Sequence, residues 1–268
     1  MVTTVYNGEP YCARAIPSIL SQEYEDFEYI IVDDGSTDGT SSFLSQVARS
    51  DPRVRVFSPG RLGRARALNF GIEQATSDYI AVQDFDDISY PSRLAVQVDY
   101  LDKQETVAAI GAYYVLHDDN RQERYVRRPP VVHQDIVRAM AKYIPLAHTL
   151  VTLRKTAWAQ ACGYPEVEDI EDLRLWIRLV SLGWQLANVP VLLGEHWVHQ
   201  NSYWHQNFAY RTRQASLRKV QREAISTLGL PAWMHIYPTG RGLYAFLPPA
   251  VKRFARRRFV GISEREQR

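Results

Sequence analysis

Short apolar runs alternate with stretches of helical spacing along the first hundred residues, and each run ends in polar or acidic residues. Met1–Val5 is half a strand that breaks at once into a turn at Tyr6, Asn7 and Gly8. Tyr11–Gln22 carries Ala15, Ile19 and Leu20 at helical spacing and predicts a helix despite Pro17. Phe27–Val32 is a near-continuous run of β-type residues, the pattern of a strand buried on both faces. It runs into Asp33, Asp34 and Gly35, and a Ser-Thr-Asp cap precedes a helix beginning near Thr40. Val54–Phe57 predicts a strand, Arg61–Ala75 a helix, and Tyr79–Val82 a further strand. This alternation predicts an α/β protein with a mostly parallel, doubly wound, Rossmann-like sheet.

The stretch Tyr79–Leu94, YIAVQDFDDISYPSRL, organises the rest. Its apolar run gives way to Asp84, Asp86 and Asp87, and Pro91 then opens a helix. Acids at such a place lie at the carboxyl edge of the sheet, where open α/β sheets bind ligands. Carboxylates that close repel one another, and a divalent cation relieves the repulsion. A solvated acidic turn at a helix start would show the same pattern. Asp33 and Asp34 end a neighbouring strand, so the two acidic ends converge on one crevice.

Further along, Val107–Val115 predicts a strand, His117–Pro130 a polar surface connection, and Pro145–Leu153 another strand. Thr156–Cys162 predicts a short helix ending at Gly163. Asp169–Leu182 is strongly amphipathic and closed by Gly183, and Trp184–Leu193 predicts the last strand. Tyr203–Leu228 has a long helical pattern that Gly229 and Pro231 break. The tail LPPAVKRFARRRF, from Leu247 to Phe259, mixes apolar residues with Lys252, Arg253, Arg256, Arg257 and Arg258.

Composition adds constraints. A chain of 268 residues with 46% hydrophobic and 23% charged content is long enough for a sizeable core and ordinary for a soluble globular protein. A net charge of +2 gives no ground for nucleic acid as a partner. No apolar run reaches the roughly 18 residues of a membrane span, and nothing at the N-terminus has the pattern of a signal peptide. Cys12 and Cys162 lie far apart without metal-ligand spacing and are expected to be free thiols, with the cytoplasm as the expected compartment.

Four blocks, in order, resemble the inverting family-two glycosyltransferases of the GT-A fold: VYNGEPYCARAIPSILSQEY, FEYIIVDDGSTDGT, LGRARALNFGIEQATSDYIAVQDFDDISYPSRL and IEDLRLWIRL. They lie within Val2–Ser202, about three quarters of the chain. The resemblance implies a glycosyltransferase domain over 1–200, with a nucleotide-sugar half to about residue 100 and an acceptor half beyond it. Residues 201–268 are left as a helical extension with a basic tail. It implies that Asp33 and Asp34 contact the nucleoside, that backbone around Val5 and Tyr6 packs on the base, and that QDFDD is the DxD element. Asp84 would then face ribose and diphosphate, and Asp86 would bind Mg²⁺ or Mn²⁺, the metal stabilising the leaving nucleoside diphosphate. Asp87 is expected to turn away as a helix cap. Arg66 is a candidate for positive charge near the diphosphate, or a solvated helix residue. Asp172 would be the general base, with Asp169 as the fallback. His199, in HWVHQNS, would complete the metal sphere or contact phosphate, or lie in a surface loop. His148 either lines the acceptor side or is a satisfied core residue.

The implied donor is a nucleotide-diphosphate sugar, most simply UDP-linked. The implied acceptor is a carbohydrate or lipid-linked hydroxyl in surface polysaccharide or lipopolysaccharide assembly. Two departures stand out. Thr4 replaces a proline that the family has before Tyr-Asn, and the first strand is either short or begins upstream. The basic tail fits peripheral contact with the inner membrane face, or equally a solvated terminus. Two rivals differ in kind. A sugar-nucleotide pyrophosphorylase needs a Gly-rich basic phosphate loop after the first strand, which YNGEPY is not. A non-catalytic nucleotide-sugar binder has no need of the Glu171-Asp172 pair in its Leu-Trp setting.

Overall fold

The computed structural model describes residues 1–120, 122–167, 170–199 and 209–247. Its strands are β1 (Val2–Val5), β2 (Tyr29–Asp33), β3 (Val54–Phe57), β4 (Tyr79–Ala81), β5 (Ile88–Ser89), β6 (Val107–Asp118), β7 (Glu123–Arg127), β8 (Thr152–Arg154) and β9 (Gln185–Val198). The helices that matter here are α1 (Cys12–Leu20), α2 (Thr40–Ser50), α3 (Arg64–Gln74), α4 (Arg93–Lys103), α5 (His133–Ala139), α6 (Lys155–Gln160) and α7 (Glu171–Ser181). Two further helices, Tyr210–Thr227 and Ile236–Phe246, follow.

β1, β2 and β3 are parallel with β2 central, and every residue of β2 is buried. Its alternating side chains explain the continuous apolar run. Ile30 and Val32 join Val2, Leu68 and Ile72 on one face, while Tyr29 and Ile31 join Ile16, Ile19 and Leu44 on the other. α3 lies close over the first face because Gly71 has no side chain. A Cβ there would sit 2.9 Å from Val2 Cγ1 and 3.0 Å from Val32 Cγ2.

The expected parallel winding stops at this point. Val82, just past the end of β4, makes an isolated parallel bridge to Val2 of β1, and β4 itself pairs antiparallel with β8. From there a second, mixed sheet runs β4-β8-β6-β9-β5, in which β6 and β9 are parallel. Three predicted elements are corrected. The polar segment after His117 is not a plain connection: β6 continues to Asp118 and returns as β7, pairing Leu116 with Tyr125 and Asp118 with Glu123. β9 likewise runs on past Leu193 to Val198. Pro145–Leu153 is largely not a strand, since His148–Leu150 forms a single 3₁₀ turn and only Thr152–Arg154 pairs as β8. The helix predicted from Tyr203 begins at Tyr210 among the described residues; residues 203–208 lie outside them, as does most of the basic tail.

The reason for the third correction is Arg93. Its side chain is fully buried, and its guanidinium donates to the carbonyls of Val82 (2.8 Å), Thr149 (3.0 Å) and Val151 (3.1 Å), and to Ser89 Oγ (2.8 Å). Gln97, buried beside it, donates to the carbonyls of Ile110 and Leu150. Carbonyls that a strand would pair are thus satisfied by side chains of α4. The acidic loop after β4 and the 3₁₀ turn carrying His148 are fastened to one guanidinium. Arg93→Met removes the donor to the buried carbonyls of Val82 and Thr149, whereas the Val151 carbonyl keeps the Val82 amide. The variant is expected to cost about 3 kcal/mol or more of unfolding free energy. Urea denaturation checks this, and a midpoint equal to wild type would contradict it.

Candidate active site

The strand ends collect acids, and each acid has a distinct partner. After β2, Asp33 accepts from the amide of Ser36 (2.9 Å) and the hydroxyl of Ser41. Asp34 accepts from the amides of Leu62 (2.6 Å) and Gly63 (3.1 Å) and from Arg61 Nη1 (2.9 Å). Gly63 takes φ +85°, a left-handed backbone that only glycine adopts cheaply, and this aims its amide at Asp34 as α3 begins. Arg61 also lies over the exposed Tyr6 ring, 3.6 Å from its centre, whereas Val5 is buried in the core. Tyr6, Arg61 and Asp34 therefore meet at one edge of the parallel sheet.

After β4 the loop QDFDD splits its three carboxylates. Asp84 is held by Arg64, whose Nη2 donates at 2.7 Å, with His148 Nδ1 3.6 Å away. Burial works against the charge, but Arg64 and then His148 hold the Asp84 carboxyl well below the usual carboxylate range. Asp86 Oδ2 lies 2.8 Å from His199 Nε2, a residue 113 positions away, and Arg14 donates to the Asp86 carbonyl at 2.6 Å. Asp87 does not cap α4 as expected. It is fully buried and accepts from the Trp197 amide (2.7 Å) and from His196 Nδ1 (2.9 Å). Against the pull of burial, the Asp87 carboxylate raises His196 to about 9. The end of β9 is thereby fastened over the acidic loop, and His199 arrives beside Asp86.

α7 brings the third group. Ile170, immediately before it, sits in the left-handed region at φ +54°, an uncommon conformation for a β-branched residue that costs about 1–3 kcal/mol. The turn delivers Glu171 and Asp172 to the crevice. Leu173, Leu175, Trp176 and Leu179 bury the helix behind them. Glu171 Oε1 accepts from Arg64 Nε at 2.6 Å, so one guanidinium spans Asp84 and Glu171. His148 Nε2 faces the Tyr164 hydroxyl at 3.0 Å and its Nδ1 faces Arg64 Nη2 at 3.0 Å. Burial, and then the neighbouring Glu171 carboxylate, push Asp172 up to about 6.

The structure thus joins Asp84 to Glu171 of the Glu171-Asp172 pair through Arg64, and sets Asp86 beside His199 two residues further along the same loop. It does not bring Arg66 to either group: Arg66 pairs with Glu166 at 2.8 Å, both largely exposed. Residues two apart on a helix face different ways, and Arg64 is the cation that turns inward. Sequence reasoning missed Arg64, the place of His148 beside Arg64 and Asp84, and the pairing of Glu171 with Arg64. Asp169, the fallback base, lies outside the described residues.

A metal fits part of this cluster. Among the described residues no three His, Cys, Asp or Glu side chains form a complete metal cage. Mg²⁺ and Mn²⁺ at phosphate sites take one or two protein ligands, with substrate phosphates and water supplying the rest. The Asp86 carboxylate and His199 imidazole, both partly accessible, are a donor pair of that kind.

The family model for glycosyl transferase family 2 matches residues 1–160, and the chain belongs to that family. It is 32% identical over 270 residues to EpsE of Bacillus subtilis (strain 168), named as a glycosyltransferase, covering 98% of this chain and 95% of that protein. It is 30% identical to the amylovoran biosynthesis glycosyltransferase AmsE of Erwinia amylovora, over 72% of this chain and 73% of AmsE. Two solved structures share the fold, which is GT-A. S. aureus TarS 1-349 in complex with UDP-GlcNAc has a TM-score of 0.65 at 14% identity, covering 90% of this chain and 69% of that one. The mannosyltransferase PcManGT from Pyrobaculum calidifontis, in complex with GDP-Man and Mn²⁺, has a TM-score of 0.64 at 20% identity, covering 97% and 79%. The chain is a glycosyltransferase.

Arg64→Lys keeps the charge but not the two-pronged fork. It is expected to lower kcat/KM for sugar-nucleotide turnover about 100-fold through misplacement of Asp84 and Glu171. Arg66→Ala, an exposed pair broken, is expected to change it by no more than about twofold. A larger loss in Arg66→Ala than in Arg64→Lys would reverse these assignments.

Proposed function

We propose that this chain is a metal-dependent, inverting glycosyltransferase that moves a sugar from a nucleotide-diphosphate donor, most simply a UDP-sugar, to an acceptor hydroxyl in surface polysaccharide assembly. The observation that carries the reading is the junction that Arg64 makes between Asp84 of the β4 loop and Glu171, next to which stands the partly buried carboxyl of Asp172, raised to about 6. A base near neutrality is what deprotonation of a hydroxyl needs.

Residues 1–100 form the donor half in this reading. Tyr6 and Arg61 offer a flat, cationic platform for the base. Asp33 and Asp34 shape the nucleoside edge, and because their carboxylates are already engaged by Ser36, Ser41 and the Leu62–Gly63 turn, they act first by fixing that edge. Asp84 presents toward ribose and diphosphate. Asp86 and His199 would hold Mg²⁺ or Mn²⁺, which when bound supplies positive charge to the leaving diphosphate. Residues 101–200 form the acceptor half, from which Asp172 takes the proton of the attacking hydroxyl. A base on a separate element from the donor acids suits attack opposite the leaving group, and a single displacement then inverts the anomeric carbon. Relatives named for polysaccharide biosynthesis, AmsE among them, support the pathway assignment. A carbohydrate or lipid-linked acceptor fits it.

Asp172 must be ionised to accept a proton. kcat/KM is therefore expected to climb as pH rises through about 6 and to level off above it. Asp172→Asn is expected to lower kcat roughly 10²–10⁴-fold with donor affinity retained. Turnover across a panel of UDP- and GDP-sugars with Mn²⁺, beside nucleotide titrations, reads both quantities. A variant that turns over donor like wild type would remove Asp172 as the base.

A further inference from the structure

The C-terminal helix Ile236–Phe246 is packed the opposite way from an ordinary surface helix. Its buried side is made of small residues, Pro238, Gly242 and Ala245. A Cβ on Gly242 would lie 2.4 Å from Arg218 Nη1, so this face presses directly on the helix Tyr210–Thr227. The large apolar residues point outward instead: Trp233 is 64% exposed, Ile236 65%, Leu243 70% and Phe246 69%. Ile236, Leu243 and Leu247 recur at helical spacing, with Trp233 one turn before and Phe246 beside the last, so they form a single stripe. Burying that stripe would gain free energy that water denies it.

Charge decides what covers the stripe. Residues 209–268 hold thirteen Lys or Arg and only three Asp or Glu, a net +10 in a chain of net +2, so the first 208 residues carry −8. Around the stripe the cations are placed at its rim. Arg211 lies over the Phe246 ring, 5.1 Å from its centre, and Arg211 and Arg218 line a cleft whose other wall is Gly242, Ala245 and Phe246. Neither arginine has a carboxylate partner among the described residues. A second copy of the chain would bring this same cationic surface against itself, and like charges oppose that arrangement. An exposed apolar stripe edged with guanidinium groups matches a surface with hydrocarbon below and phosphates above.

We infer that the outward face of Ile236–Phe246, with Trp233, is a docking surface for an anionic phospholipid bilayer. Trp233, Ile236, Leu243 and Phe246 enter the acyl boundary, and Arg211 and Arg218 meet headgroup phosphates. Arg241 ties the helix to the catalytic body, donating to the Lys142 carbonyl at 2.7 Å and to Gln214 and Gln221 of the neighbouring helix. The body is therefore held at the membrane through a rigid contact.

Co-sedimentation of the full chain with phosphatidylglycerol–phosphatidylcholine vesicles, against phosphatidylcholine alone, tests this. Binding is expected only to the anionic vesicles. The double variant Leu243→Glu, Phe246→Glu is expected to abolish it without lowering the melting temperature, because both positions are already in solvent. Ile236→Ser is expected to weaken it, and Arg211→Ala and Arg218→Ala to lower the partition coefficient about fivefold each. Failure of wild type to bind, or glutamate variants that bind as wild type does, would overturn the inference. So would a dimer seen by sedimentation equilibrium that the glutamate variants dissociate in the absence of vesicle binding. Vesicle binding involves no turnover, so a negative result would leave the catalytic reading untouched.

Discussion

One guanidinium joins the two parts of the crevice. Arg64 leaves the first turn of α3 and donates to Asp84 on one side and Glu171, 107 residues away in sequence, on the other. Without it, three carboxylates would face one another across a half-buried gap, and their repulsion would push the β4 loop and the start of α7 apart. With it, Asp84 is held ionised and Glu171 is paired to the same guanidinium, while burial and the neighbouring Glu171 carboxylate keep the pKa of Asp172 raised. The left-handed Ile170 is the strained point at which the chain turns to make this possible.

A second fastening sets the side of the crevice that carries Asp86. Asp87 is buried and holds the end of β9 through His196 and the Trp197 amide. That bond, rather than any local preference of HWVHQNS, is what delivers His199 to Asp86. Arg93 does a comparable task beneath the loop by satisfying carbonyls of the β4 end and the 3₁₀ turn. The site therefore rests on three charged side chains that make long-range contacts, with the acids themselves supplied by short loops.

Much of this was legible in the sequence, and the limits have physical causes. β2 could be read because a strand buried on both faces must be apolar throughout. The acids could be read because they interrupt such runs abruptly. Which arginine of α3 faces inward could not be read, since Arg64 and Arg66 have the same chemistry and only the packing of Ala65, Ala67 and Leu68 sets the rotation. The second half was harder. Pro145–Leu153 has the composition of a strand, yet Arg93 from a distant helix captures its carbonyls. The β6–β7 hairpin hid behind charged residues because it lies at a sheet edge. The outward stripe of the helix Ile236–Phe246 was missed for the opposite reason: its apolar period predicts a helix but not which side is buried.

In the proposed function a single displacement occurs at the anomeric carbon, with Asp172 accepting the proton on the face away from the diphosphate. The most direct test is proton NMR of the sugar first released when wild type turns over an α-linked UDP-sugar with water as acceptor, read before the free sugar equilibrates. The account predicts the β-anomer. Release of the α-anomer would mean that configuration is retained, and would contradict a one-step displacement assisted by this carboxylate.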